Sequence, residues 1–170
     1  MRAIRTHVEQ PLAVGQRLTL PEGAAGHLLR TLRLGEGDAC VLFNGDGFDY
    51  ACRVLSAGKR GGEVEVVAAH AVDNESPLRI VLLQGVARGE KMDWILQKAT
   101  ELGVHRFVPV NSERSEVKLD AARAAKRVAH WQGVVASACG QSGRAFVPHV
   151  SAPLALADAV AALPRDALRL

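Results

Sequence analysis

Residues 78–110 hold the pattern that most restricts the fold. Leu78 to Leu83 is a run of apolar residues interrupted only by Arg79. Such a run suits a strand of a parallel sheet covered on both faces. Glu90 to Leu102 follows as an amphipathic helix, with Met92, Ile95, Ala99 and Leu102 on one stripe and Gly103 as its C-terminal stop. Phe107 to Val110 is the next strand. Strand, helix and strand in this rhythm predict a βαβ unit and a parallel sheet. A further helix is predicted after Asp120, a capping residue, because Val128, Trp131, Val135 and Ala138 recur at helical spacing. A shorter one is predicted over Leu154 to Leu163, and Leu168-Arg169-Leu170 reads as the opening of another strand.

The chain before this unit has a different texture. Arg17 to Leu20, Cys40 to Phe43, Phe48 to Leu55 and Val64 to Ala68 read as short strands, and Ala24 to Leu32 as a short helix. Asn44-Gly45-Asp46-Gly47 is a hairpin turn, because its glycines reach positive φ without strain. Several short strands with one helix predict a small β-barrel. The polar stretch that ends in Pro77 separates the two textures. The expected organisation is α/β overall: a barrel over residues 1–72, a linker over 73–77, and an α/β part over 78–170.

Composition removes several classes of function. No apolar run approaches the roughly 20 residues that span a bilayer, and no apolar stretch follows the charged N-terminus, so a secretory signal is not expected. Cys40, Cys52 and Cys139 are scattered and odd in number. That argues for a reducing compartment, the cytoplasm, and against a disulfide framework. No Cys or His spacing matches a metal site, so no metal is expected. Charge is uneven. Residues 1–76 hold 8 Lys and Arg against 10 Asp and Glu, while residues 77–170 hold 13 against 8. The second part is basic, which favours a polyanionic partner.

Three constellations carry polar chemistry. Gln84 to Lys91 bridges a strand end and a helix start, where open α/β sheets bind ligands and helix N-termini favour anions. Its spacing is neither a Walker A loop nor a dinucleotide fingerprint. Read by itself, the stretch is most often a glycine-eased turn with a solvated arginine. Asn111 to Lys118 follows the second strand, and Arg114 and Lys118 add cations there. Cys139 to Arg144 closes the long helix, with Gln141, Ser142 and Arg144 as hydrogen-bonding groups. Cys139 lies on the apolar stripe and reads as a small buried hydrophobe, not a nucleophile.

In order along the chain, Arg88-Gly89-Glu90-Lys91-Met92, Ser112-Glu113-Arg114-Ser115 and Gln141-Ser142-Gly143-Arg144 resemble the RsmE-type 16S ribosomal RNA methyltransferases. The stretch His27 to Asp38 and Leu42-Phe43-Asn44-Gly45 is similar to that family's N-terminal PUA-like barrel. The resemblance implies a SPOUT-class α/β domain with a trefoil knot, a homodimer, and methyl transfer from S-adenosylmethionine to N3 of the uridine numbered 1498 in 16S rRNA of the small ribosomal subunit. It implies Arg88 and Arg144 as catalytic residues that stabilise charge on the uracil ring. It implies Arg2, Arg5, Arg30, Arg33, Lys91, Arg114, Lys118 and Gln141 as contacts to RNA. The family usually has Glu where this chain has Gly140. Its glycine-rich cofactor segment is expected beyond Leu170, so no cofactor-binding residue is assigned, and the 170 residues are expected neither to hold the cofactor well nor to methylate. The alternatives are a non-catalytic RNA-binding or ribosome-assembly module and a small nucleotide-binding α/β enzyme.

Overall fold

A computed structural model describes residues 4–59, 61–111 and 121–170. The described chain divides into two compact units. The first takes in residues up to Glu75 together with Cys139–Val147, and the second takes in Ser76–Ala138 and Pro148–Leu170.

The first unit is built on five strands: β1 (Arg5–His7), β2 (Arg17–Thr19), β3 (Ala39–Phe43), β4 (Phe48–Gly58) and β5 (Gly61–Ala71). Their order in the sheet is β1-β3-β4-β5-β2. The β3, β4 and β5 strands pair antiparallel, and β1 lies parallel to β3. The β3–β4 hairpin turns where its glycines allow it, with Gly45 and Gly47 both at φ 94°. Asn44 Oδ1 accepts from the Asp46 amide at 3.2 Å, and Asp46 Oδ1 accepts from the Phe48 amide at 3.0 Å. Such side-chain bonds give the turn backbone partners that the ladder cannot supply. Alternate residues of the strands then point inward. Leu18, Leu42, Val54, Val64 and Val66 are buried with Leu28 in one cluster.

The helix expected over Ala24–Leu32 is reshaped. A single α-turn, α1 (Glu22–Ala25), runs into a π-turn over Gly26–Thr31. The wider turn lets the Leu32 amide reach the carbonyl of His27 at 3.0 Å, and Arg33 then reverses the chain at φ 58°. Periodicity cannot reveal such a turn, because one extra residue shifts the stripe by only a fraction of a turn.

The second unit contains β6 (Val81–Gly85), α2 (Glu90–Glu101), β7 (Arg106–Asn111), α3 (Ala121–Ser142, of which residues to Ala138 belong here), β8 (His149–Val150), β9 (Leu154–Ala155) and α4 (Leu156–Ala161). The sheet is parallel throughout. Val81 pairs with Arg106, Phe107 with Val150, and Val110 with Leu154. The expected parallel α/β arrangement is therefore present. The apolar stripe of α3 packs as expected, with Trp131, Val135 and Ala138 buried.

Three expectations give way. On α2 the buried residues are Met92, Leu96 and Thr100, whereas Leu102 is 81 % exposed. Leu102 lies one residue past the helix, where the chain turns outward at Gly103 with φ 94°. The segment Leu168–Leu170 forms no strand, and among the described residues no ladder partner faces it. The helix expected from Leu154 starts two residues later, since Leu154 and Ala155 are taken up by pairing with β7.

Candidate functional site

In the second unit the parallel strands β6 and β7 end side by side, with Gly85 opposite Val110. The amide of Val86 continues the ladder to the carbonyl of Val110 at 3.0 Å. The chain then crosses residues 86–89 and enters α2 through Gly89, whose φ 51° and ψ −139° suit glycine. Gly89 offers no side-chain cap to the first amides of α2. The amides of Lys91 and Met92 donate instead to the carbonyls of Arg88 at 3.3 Å and Gly89 at 3.2 Å, and the first turn carries Glu90 and Asp93 at the positive end of the helix dipole. Arg88 and Lys91 flank it with exposed side chains. This is the location expected for them from the sequence. Further along the same unit, Asp93 of α2 and His130 of α3 approach to 2.8 Å. That pair joins residues 37 apart, and no spacing rule links them.

The first unit presents its own cations. Arg30 and Arg33 are exposed on and just after the π-turn. Arg30 folds back over its own helix, because a Cβ on Gly26 would stand only 2.7 Å from its Nη2. Gln141, in the last turn of α3, is also exposed.

Arg5 and Arg144 stand elsewhere than on a surface. The Arg5 side chain is 7 % exposed. Its Nε donates to Asp49 Oδ2 at 2.9 Å and its Nη2 to Asp49 Oδ1 at 2.6 Å. The other N–H groups donate to the carbonyls of Cys139 at 2.8 Å, Gly140 at 3.5 Å and Arg144 at 3.1 Å. The guanidinium also lies 4.6 Å over the Phe43 ring. All five donors of an arginine are thus occupied. Arg5 adds donors to the carbonyls of Cys139 and Gly140 in the last turn of α3, the negative end of that helix, although the Cys139 carbonyl also accepts from the Gly143 amide at 3.0 Å. For a phosphate it has no donor to spare, so the reading of Arg5 as an RNA contact gives way to that of a buried cap. Asp49, its anchor, went unnoticed in the sequence because an acidic residue on a strand reads as a solvated one.

Arg144 is equally enclosed. Its side chain is 6 % exposed and pairs with Glu75, Nε to Oε1 at 2.8 Å and Nη2 to Oε2 at 2.5 Å. Beside it, Asn74 donates to the Gly143 carbonyl at 2.9 Å, and the Gly47 amide to the Ala145 carbonyl at 3.3 Å. The Gln141–Arg144 turn is therefore part of the first unit, with Arg144 in its interior. At Gly140 a Cβ would meet the Arg5 carbonyl at 3.3 Å and the Phe43 ring at 3.9 Å. Cys139 is buried, donates to the Phe146 carbonyl at 3.4 Å, and has its thiol pushed up to about 11 by that burial. A thiol so hard to ionise fits a packing role.

Arg2, Arg114 and Lys118, with the Ser112–Ser115 loop and the Asp120 cap, lie outside the described residues. Among the described residues no group of three or more His, Cys, Asp or Glu could hold a metal ion, and no helix is long and apolar enough to cross a membrane.

Residues 74–170 match an RNA methyltransferase domain, and residues 20–67 match an RNA methyltransferase PUA domain. The chain belongs to the RNA methyltransferase family. It is 36% identical over 124 residues to ribosomal RNA small subunit methyltransferase E of Bacillus subtilis, covering 73% of this chain and 48% of the relative. The enzyme of that name from Buchnera aphidicola of Schizaphis graminum is 27% identical, over 89% of this chain and 62% of its own length. Among solved structures, ribosomal RNA small subunit methyltransferase E of Neisseria gonorrhoeae, bound to S-adenosylmethionine, superposes with a TM-score of 0.91 at 41% identity, covering 96% of this chain and 67% of that one. A protein from Legionella pneumophila described as a methyltransferase, solved with S-adenosylmethionine, gives 0.94 at 32% identity, covering 98% and 69%. The chain thus spans about half the length of the Bacillus subtilis relative. These likenesses agree with the PUA-like barrel and the parallel methyltransferase sheet expected from the motifs.

The cofactor in those relatives carries a sulfonium cation. At the β6–α2 edge the described side chains around the helix start are of both signs, Arg88 and Lys91 with Glu90 and Asp93. They form no pocket specific for that cation, and no step is routed through it.

Proposed function

We propose that this chain supplies the RNA-positioning barrel and the opening βαβ of the catalytic sheet in an S-adenosylmethionine-dependent methyltransferase acting on N3 of uridine 1498 in 16S rRNA. The observation that carries the reading is the pair of exposed cations, Arg88 and Lys91, beyond the carboxyl end of β6 at the start of α2. Uracil N3 carries a proton, and its loss leaves negative charge on the ring. A guanidinium and backbone N–H groups held in place stabilise such a charge as it develops. Arg88 takes that part, and Lys91 holds a neighbouring phosphate. Exposing the base costs a few kcal/mol, less in a loop than in a duplex. Arg30, Arg33 and Gln141 contact the rRNA backbone, which orients the substrate without reading sequence. Arg144, ion-paired and enclosed, acts as a positioning residue for its turn and does not reach the ring. The protein works in the cytoplasm as a homodimer. Trp94 at 62 % exposure and Leu102 support an apolar surface for the second copy.

The test is methyl transfer to 16S rRNA by a protein of the relatives' full length built on these 170 residues. Arg88→Ala is expected to lower the rate by about 10² to 10³, the loss seen when one anion-stabilising donor is removed, with RNA affinity nearly unchanged. Methylation at another base, or an unaltered rate in Arg88→Ala, would refute it. Salt-dependent rRNA binding with no methyl transfer at all would point instead to a non-catalytic RNA-binding module.

A further inference from the structure

Cys40 of β3 and Cys52 of β4 are direct partners in an antiparallel ladder. Residues so placed have Cα atoms about 4.5–5.5 Å apart, inside the roughly 4.4–6.8 Å that a disulfide bridges. Strand alternation points both side chains the same way. Cys40, Leu42, Cys52 and Val54 are buried, while the neighbouring cross-strand pair Ala39 and Arg53 is exposed. The two thiols are 3 % and 2 % exposed and both are free. The Cys52 thiol donates to the Tyr50 carbonyl at 3.3 Å. Of the two neighbours, Cys40 is pushed up by Cys52 and by burial, while Cys52 is drawn down by Cys40 against the effect of burial. One sulfur of the pair is therefore the readier nucleophile, and the other stands beside it to resolve the product. Cys139, the remaining thiol, donates to the Phe146 carbonyl and takes no part.

We propose that Cys40 and Cys52 form a modification site, a core dithiol that a hydroperoxide converts to a cross-strand disulfide. Cys52 sulfur attacks the peroxide oxygen. The O–O bond breaks, an S–O bond forms, and the leaving alkoxide departs as the alcohol with the Cys52 proton. Cys40 sulfur then attacks Cys52 sulfur. The S–S bond forms, the S–O bond breaks, and the hydroxyl leaves as water with the Cys40 proton. Two thiols are oxidised and one peroxide is reduced. The product staples β3 to β4 inside the barrel. The inference is independent of methyl transfer, since it concerns the barrel core alone.

The experiment treats the native 170-residue chain with a slight excess of hydrogen peroxide and measures intact mass. The expected result is loss of two hydrogens, with the peptides carrying Cys40 and Cys52 joined and Cys139 still alkylatable after unfolding. The unfolding midpoint of the barrel rises on oxidation, in the native chain and equally in Cys139→Ala. In Cys52→Ser neither the mass loss nor the rise occurs. Separate oxygen adducts on Cys40 and Cys52, or mass loss only after denaturation, would overturn the proposal.

Discussion

Replacing Arg5 by methionine tests the buried cap directly. The substitution keeps an apolar stem over Phe43 but removes five donors at once. It leaves the Asp49 carboxylate without its partner and strips the carbonyls of Cys139, Gly140 and Arg144 of a donor. Removing one member of a buried ion pair costs about 3–5 kcal/mol, because the other charge stays behind unpaired. Asp49 is 23 % exposed, so water recovers part of that cost, and the lower end, about 3 kcal/mol, is expected. Each tenfold change in an equilibrium is about 1.4 kcal/mol, so opening of the first unit should become roughly a hundredfold easier. Native-state hydrogen exchange reads this at the amides of Val54 and Val66, which bond to the carbonyls of Asp38 and Gln16. Arg17→Met is the control. Arg17 and Glu65 form an exposed pair at 3.4 Å, 70% and 32% accessible, and such a pair contributes about 0–1 kcal/mol. Arg5→Lys should fall between, since an ammonium cannot replace the planar fork. If Arg5→Met costs no more than Arg17→Met, or if Asp49→Asn adds its full effect on top of Arg5→Met, the cap reading is wrong.

Gly62→Ala should destabilise the barrel by about 1–3 kcal/mol, the usual cost of overpacking. Its Cβ would stand 2.3 Å from the Ser56 carbonyl and 2.6 Å from Leu29, and thermal unfolding measures the effect; an unchanged midpoint would contradict the packing. His7, against the Phe43 ring at 5.4 Å, is lowered below its ordinary value of 6.5 by burial, with Glu9 opposing. The unfolded state then binds the proton more readily, so stability is full above about pH 6.5 and falls as the pH drops below it. In His7→Phe this part of the decline below about pH 6.5 should vanish; an identical pH profile for the two proteins would rule it out. Cys139, held up at about 11, should resist iodoacetamide in the native protein at neutral pH and react after unfolding, as intact mass would show. Rapid native labelling would mean that the thiol is not enclosed.

Much of this protein is readable along the chain because its elements follow short-range rules. The apolar run before Gln84 supplies a parallel strand, though one that begins only at Val81, is half-buried and leaves Leu78 and Ile80 exposed; Met92 and Ile95 lie at helical spacing, and Gly45 and Gly47 allow the hairpin whose strands bring Cys40 opposite Cys52. Arg88 and Lys91 were legible for the same reason, since they sit where a strand pattern stops and a helical one starts. Arg30 and Arg33 were found as cations but not as a π-turn and its positive-φ exit, because the helical period tolerates that extra residue.

The arginines divide the two levels of information most clearly. Sequence alone determined the α/β plan, the barrel, the order of the motifs and the placing of Arg88 at a strand end, all of which depend on neighbours a few residues apart. Only the tertiary structure decided that Arg5 and Arg144 are enclosed, and that Cys139–Val147 folds with the barrel although the long helix delivers it. Arg5 meets Cys139 across 134 residues, and Arg144 meets Glu75 across 69. A charge reads as solvated until the chain brings it a partner, and no local pattern records a partner that far away.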